Sequence, residues 1–229
     1  MERKLFETRD GSHSIAIPEL QVMYHSVHGA IQESQHIFIH AGLEKAVEEK
    51  PGRPLRILEM GLGTGLNALL TAIYSSAKQI SVEYITVEKF PIDAAMAAAL
   101  NYSSKLEADE WQPLFLKLHS CATSEMHPLT ANFSFRKFHT DIMDLPATVK
   151  DVDLIYFDAF APAAQPELWN IEVFEHLGSR CNPGAILTTY CSKGWVRRNL
   201  EAAGWKVEKI PGPWGKREIV RAHALRANV

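Results

Sequence analysis

The sequence predicts a doubly wound α/β fold, a mostly parallel sheet with helices on both faces, preceded by a small N-terminal β/α extension. Short apolar runs of strand type alternate with segments of helical period. A glycine-rich turn, "GLGTG" at 61–65, joins the first such run to the first long helix, and acids recur where strands should end. In folds of this kind ligands bind outside the carboxyl ends of the strands, so function is sought there.

Residues 1–50 are read as the extension. "HSIAIPELQVMYH" gives two short strands around a proline turn, and "SQHIFIHAGLEKAV" gives a helix ending near Glu49. "EEKPGRP", Glu48 to Pro54, marks the boundary, because proline and glycine interrupt a helical stretch just before a strand. Residues 51–229 form the Rossmann-like domain. "LRILEM" reads as a strand, "LNALLTAIYSSA" as a helix, "VEYITVEK" as a strand, and "PIDAAMAAALNYSS" as a helix with Pro91 in its first turn. "FSFRKFH" and "VDLIYFDAF" are strands, "PELWNIEVFEHLG" a helix, "AILTTYC" a strand and "GWVRRNLEAAG" a helix. "WKVEKI" and "REIVRAHA" close the sheet.

At 229 residues, 46% hydrophobic and 22% charged, the chain has the composition of a globular protein with a sizeable core. No apolar run approaches the ~20 residues that span a bilayer, so no membrane association is expected. The start, "MERKLFETRDGSHS", lacks the apolar centre of a secretory signal. Cys121, Cys181 and Cys191 form no CxxC, which fits a reducing cytoplasm. The net charge of -3 excludes a generally basic coat. From Lys193 onward, however, nine Lys/Arg, ending with Arg226, face three acids, which permits either a phosphate-contacting face or a solvated, salt-bridged one.

Gly61, Gly63 and Gly65 are spaced GxGxG, where a dinucleotide fold shows GxGxxG. A loop for nucleoside triphosphates needs Lys-Ser/Thr after its last glycine, and here Leu66-Asn67 follows. Glycine lets a ligand approach the backbone. Glu59, just before the turn, adds a negative charge that repels a pyrophosphate and attracts ammonium and sulfonium groups, as in S-adenosylmethionine. Glu88 ends the second strand, where a carboxylate accepts from ribose hydroxyls, and Asp141 ends the third, within reach of an adenine amino group. Asn67 and Lys89, beside the glycines and Glu88, complete the candidate donor-binding set. Each acid alone reads equally well as a cap or a solvated carboxylate. Acids at three successive strand ends favour a methyl donor over NAD.

Asp158 follows the apolar run of the fourth strand and leads into a rigid Ala-Phe-Ala-Pro loop. A carboxylate there can orient an amine and accept its proton, or simply cap the turn. Aromatic residues Tyr24, Phe160, Trp169, Tyr190, Trp195 and Trp214 crowd this region and the chain ends, and one or two of them should stack on a ligand. His36 and His40 stand i, i+4, but neither a cysteine nor an acid completes a ligand set, so no metal is predicted. Cys191 has no evident base and reads as a buried thiol.

"DGSHS", "YHSVHGAIQESQHIFIHAGL", "ILEMGLGTGLNALLT", "YFDAFAPAAQPELW", "TYCSKGWVRRNLEAAGW" and "PGPWGKREIVRA" together resemble the tRNA 5-aminomethyl-2-thiouridine methyltransferase family, in order and over nearly the whole chain. The resemblance implies a class I methyltransferase fold and S-adenosylmethionine as donor. It further implies N-methylation of 5-aminomethyl-(2-thio)uridine at the tRNA wobble position. It puts Glu59, Gly61, Gly63 and Glu88 in the donor pocket, Asp141 near the adenine, and Asp158 at the acceptor amine. Lys193, Arg197, Arg198, Lys216 and Arg217 become candidates for phosphates of the anticodon stem-loop, and Tyr24 and Phe160 for the base. Many relatives fuse this module to a flavin-dependent oxidoreductase; a chain ending at Val229 resembles the stand-alone form, with no flavin. Competing readings are a polyamine-synthase-like aminopropyltransferase, for which the acceptor loop offers one acid where two are usual, a small-amine methyltransferase, and a non-catalytic RNA-binding module, which should have lost the pocket acids or glycines.

Overall fold

The computed structural model describes residues 2–225. The extension folds as an antiparallel sheet of β1 (Lys4–Glu7), β2 (His13–Ile17) and β3 (Val22–Met23), with Pro18 opening the 3-10 turn between the last two. β1, mostly exposed, carries no apolar alternation and had no signal in the sequence. A continuous helical segment follows: α1 (Ala30–Ser34), a π-wound stretch (Gln35–Glu44) and α2 (Lys45–Glu49). It begins before the expected Ser34 because Asp10 reaches back from the β1–β2 turn, its Oδ2 accepting from the Gln32 N–H (3.2 Å). A side-chain acceptor at a helix start satisfies a donor that has no partner within the helix.

Next come β4 (Leu55–Met60), α3 (Leu66–Lys78) and β5 (Val82–Val87), then α4 (Ala94–Ala98), α5 (Tyr102–Lys105) and α6 (Gln112–Ser120). The expected single helix from Pro91 is broken in two. Asp93, a better N-cap than proline, starts α4 by accepting from the Met96 N–H (2.8 Å). Asn101 is drawn out of helical register because its side chain clamps the extension, accepting from the His13 N–H (2.7 Å) and donating to the Gly11 carbonyl (3.0 Å). α6, which buries Phe115 and Leu118, was not anticipated.

β6 (His127–Pro128), β7 (Phe133–Phe138), β8 (Val152–Phe157), α7 (Ile171–Gly178), β9 (Cys181–Thr189), α8 (Gly194–Ala202), β10 (Trp205–Pro211) and β11 (Glu218–Ala224) complete the chain. The eight-stranded sheet has the order β10-β11-β9-β8-β4-β5-β7-β6. Its five central strands are parallel, and β6, β10 and β11 are antiparallel to their neighbours. Side-chain alternation gives each face its own core. Ile57, Tyr84, Phe135 and Tyr156 pack with α3 and the π-wound stretch on one face; Leu58, Ile85, Phe157 and Leu187 pack with α7 and α8 on the other. The three cysteines are free and buried. Among the described residues no helix is long and apolar enough to cross a membrane.

Candidate active site

Because the central strands are parallel, their carboxyl ends lie along one edge, and the loops leaving β4, β5, β7 and β8 line a single cavity of about 860 Å³. The extension covers it with Arg3, Tyr24, His25 and Glu33. Arg3 fastens this cover to the loop after β5 by donating to the Pro91 carbonyl (2.8 Å) and to that of Phe90.

The glycine turn has two uses rather than one. Gly61 and Gly63 line the cavity. A Cβ on Gly63 (φ 52°) would stand 3.0 Å from Tyr24 Cδ1, so its bareness admits the Tyr24 ring to the wall. Gly65 does not reach the cavity. With φ 79° it begins α3, and a Cβ there would stand 2.7 Å from His119 Nε2, which donates to the Thr64 carbonyl (3.1 Å). The expected donor-binding role of Gly65 is therefore replaced by a packing role.

Glu59 also departs from expectation. Its side chain is fully buried under the turn, outside the cavity, and burial, with Asp158 nearby, raises its pKa well above the ordinary range. Burial thus disfavours its charged form, and its side chain does not line the cavity. Asn67 joins it to the cavity: Nδ2 donates to Glu59 Oε1 (3.1 Å) and to Asp158 Oδ2 (3.0 Å). Asn67, itself in the cavity wall, thus links the buried Glu59 to Asp158 and orients the latter.

Glu88 lies at the end of β5 in the wall, its Oε2 accepting from the Gly63 N–H (3.0 Å) and its Oε1 from the Phe90 N–H (2.7 Å). Each oxygen keeps a lone pair for a hydroxyl. Asp141 follows β7, caps a short 3-10 turn by accepting from the Met143 N–H (3.1 Å), and is paired with Lys89 (3.0 Å). The hydrogen bond from Lys89 and that from the backbone hold the Asp141 carboxyl below its usual range. Lys89 thus positions Asp141, although both line the cavity.

Asp158 emerges from β8 into the cavity. Desolvation first, then the negative charge of Glu33, push its pKa up to about 7, against the opposing Asn67 hydrogen bond and Lys216 charge. Tyr24 and Phe160 meet edge to face (centroids 5.1 Å apart, 79° between planes) beside it. Glu33 and Lys216, 3.2 Å apart, also line this part, and the Lys216 ammonium sits 4.5 Å from the centroid of the Tyr190 ring. Lys216 therefore points inward, contrary to its expected place among phosphate-binding residues. Its neighbours Lys193 and Arg217 are exposed and, with Tyr190 and Lys216, line a shallower groove of about 430 Å³ that shares these walls. Arg197 is partly spent on the Ser192 carbonyl (3.3 Å), Arg198 is exposed on α8 outside the groove, and Arg226 lies outside the described residues.

Glu33 is the acid that sequence reasoning missed. The loop after β8 supplies one acid, as counted, and Glu33 from α1 adds a second carboxylate to the same cavity. The available signal was Glu33 in the first turn of a helix that begins at Ala30, legible only once that start is known. Trp169 and Trp214 stand apart from the site: Trp169 is buried, donating to the Phe160 carbonyl (2.9 Å), and Trp214 is 74% exposed.

A family model described as S-adenosyl-L-methionine-dependent methyltransferase matches residues 103–224, more than half of the chain. The chain belongs to this methyltransferase family. The methyltransferase is 32% identical over 220 residues to the tRNA 5-methylaminomethyl-2-thiouridine biosynthesis bifunctional protein MnmC of Burkholderia multivorans, a match covering 90% of this chain and 33% of that protein. It is 30% identical over 212 residues to the protein of the same name from Pseudomonas fluorescens, covering 89% and 32%. It spans about a third of the length of these relatives. Its fold matches the crystal structure of MnmC2 from Aquifex aeolicus with a TM-score of 0.77 and 25% identity, over 99% of this chain and 71% of that one.

The cavity suits the methyltransferase's donor. Its volume lies within the range that encloses most of a nucleoside-sized ligand. Its strand-end groups are the carboxylates Glu88, Asp141 and Asp158, acceptors for hydroxyl and amino groups and repulsive to a pyrophosphate. Gly61 and Gly63 give the wall its bare backbone.

Proposed function

We propose that this methyltransferase converts 5-aminomethyl-(2-thio)uridine at the wobble position of the tRNA anticodon into 5-methylaminomethyl-(2-thio)uridine. The observation that carries the reading is Asp158: a strand-end carboxylate, held by Asn67, made more basic by burial, beside an edge-to-face aromatic pair at the wall of the donor cavity. The names of the MnmC relatives support this substrate.

S-adenosylmethionine, when bound, supplies a methyl carbon on a cationic sulfur that leaves as a neutral thioether. The acceptor is a primary amine, largely protonated near neutral pH and unreactive until it has a free lone pair. With its pKa near 7, Asp158 takes up that proton more readily than an ordinary carboxylate. Asn67 occupies Oδ2, which leaves Oδ1 to accept from the acceptor nitrogen. The N–C bond forms as the C–S bond breaks, and the product is a secondary ammonium. The proton on Asp158 passes to water when the product leaves. Most of the rate comes from alignment, with Glu88 and the glycine turn fixing the donor and Tyr24 and Phe160 packing the acceptor base.

The test is methyl transfer from labelled S-adenosylmethionine to tRNA from cells blocked at the aminomethyl stage, followed by nucleoside mass analysis. One methyl gained on the wobble aminomethyluridine is expected. Asp158→Asn should lose at least about a hundredfold in rate, as removal of a positioned base does, while donor affinity stays within about threefold. Wild-type turnover by that variant removes Asp158 from the chemistry.

A further inference from the structure

Beside Asp158 the cavity holds a cation that is part of the chain. Lys216, on the loop between β10 and β11, directs its ammonium to Glu33 Oε1 (3.2 Å) and lies over the face of Tyr190 at 4.5 Å. Glu33 is held for this purpose: its Oε2 accepts from the Ser26 N–H (2.8 Å), and its side chain is only 12% exposed. A carboxylate and an aromatic face around an ammonium are a general means of binding alkylammonium ions. Lysine carries that group on a methylene, as does an aminomethyl substituent. All four side chains, Glu33, Asp158, Tyr190 and Lys216, border one space.

We propose that Glu33 and Tyr190 form the binding subsite for the acceptor's primary ammonium, and that Lys216 is its resident occupant, exchanged for the substrate amine when the acceptor enters. The proposal rests on the amine-methylating reading above and names what recognises the amine before Asp158 deprotonates it. Exchange of one ammonium for another keeps Glu33 paired throughout, so no buried carboxylate is left alone. It also frees Lys216 at the edge of the groove that holds Lys193 and Arg217, where a phosphate can engage it. A neutral substituent at the same position of the base leaves Lys216 in place and is excluded from the subsite.

Glu33 also bears on the acidity of its neighbour. Asp158 is faced by Glu33 from α1, Glu59 from β4, Tyr84 from β5, Tyr102 from α5, Tyr190 after β9 and Lys216. Burial raises the pKa values of the three tyrosines and of Glu59 and so disfavours their charged forms, which leaves Glu33 and Lys216 as the charged side chains acting on Asp158 within the cavity.

Two measurements on the full chain test the subsite. Ring current from Tyr190 should shift the ε-methylene protons of Lys216 upfield in a spectrum of 13C-lysine-labelled protein, with Lys216→Arg identifying the signal. Methylammonium chloride, titrated against sodium chloride at equal ionic strength, should move that signal saturably toward the free-lysine position, and Glu33→Gln should move it without titrant. With aminomethyl tRNA, Glu33→Gln should raise KM about tenfold, the loss expected for one charge-assisted hydrogen bond. Its acid limb should shift to lower pH, since Glu33 no longer opposes ionisation of Asp158, while donor affinity is retained. A signal indifferent to methylammonium, or a Glu33→Gln enzyme with wild-type KM and pH profile, overturns the subsite even if the tRNA is methylated. Displacement of Lys216 in a wild-type enzyme that leaves aminomethyl tRNA unmethylated upholds the subsite and overturns the substrate.

Discussion

Asp158, the base of the proposed reaction, shows what burying a carboxylate costs in stability. Its folded pKa, about 7, lies above the ordinary value near 3.9, so folding favours its protonated form. Its contribution to stability is therefore fully present below about pH 4 and is lost as pH rises to about 7. Asp158→Asn has no charge to bury, so relative to wild type it should melt higher at pH 8 than it does at pH 4. Thermal melts at the two pH values check this, and an identical difference at both contradicts the raised pKa of Asp158 in the folded protein. Asp158 was legible in the sequence because a strand-end acid follows directly from an apolar run. Glu33 was not, because its meaning depends on Lys216 from the far end of the chain. The burial of Glu59 was not legible either, for a different reason: sequence gives proximity to the turn but not the side of the backbone on which the carboxyl is buried.

At the level of elements, β4, β5 and β8 were the most readable feature, since each is a mostly apolar run of strand length. Helix boundaries depended on distant partners. Asp10 caps α1 and Asn101 interrupts the segment after Asp93, and both choices are made by the extension, not by local periodicity. At the start of α3, Gly65 lies in the left-handed region with His119 packed where a side chain would stand. Gly65→Ala forces a side chain into the left-handed region, at about 1–2 kcal/mol, and drives it against His119. Urea denaturation should show a loss of at least that size, and adding His119→Ala should restore only the steric part relative to its own background. A Gly65→Ala protein as stable as wild type would return this glycine to the ligand. Donor affinity of the folded variant should remain within a few-fold of wild type.

For the whole molecule, the basic excess of the last part of the chain overstated the cationic surface. Lys209 is paired with Glu218 (2.9 Å), Arg221 with Glu208 (2.5 Å), and Lys216 with Glu33. Lys193 and Arg217 are left at the groove that borders the site, with Arg198 nearby on α8. Each of Lys193→Ala and Arg217→Ala should weaken tRNA binding and reduce the slope of log K against log salt by about 0.7–0.9, with donor binding unchanged; unaltered slopes in both place the phosphate track elsewhere. The topology has a consequence of another kind. β11 lies between β9 and β10, hydrogen-bonded to both, although it is the last strand to be made. During synthesis, β9 and β10 leave the ribosome with no strand between them and cannot pair with each other in the native arrangement. Completion of the sheet is thereby postponed until residue 224 has emerged, and the waiting edge of β9 is the segment of the nascent chain most in need of protection from aggregation.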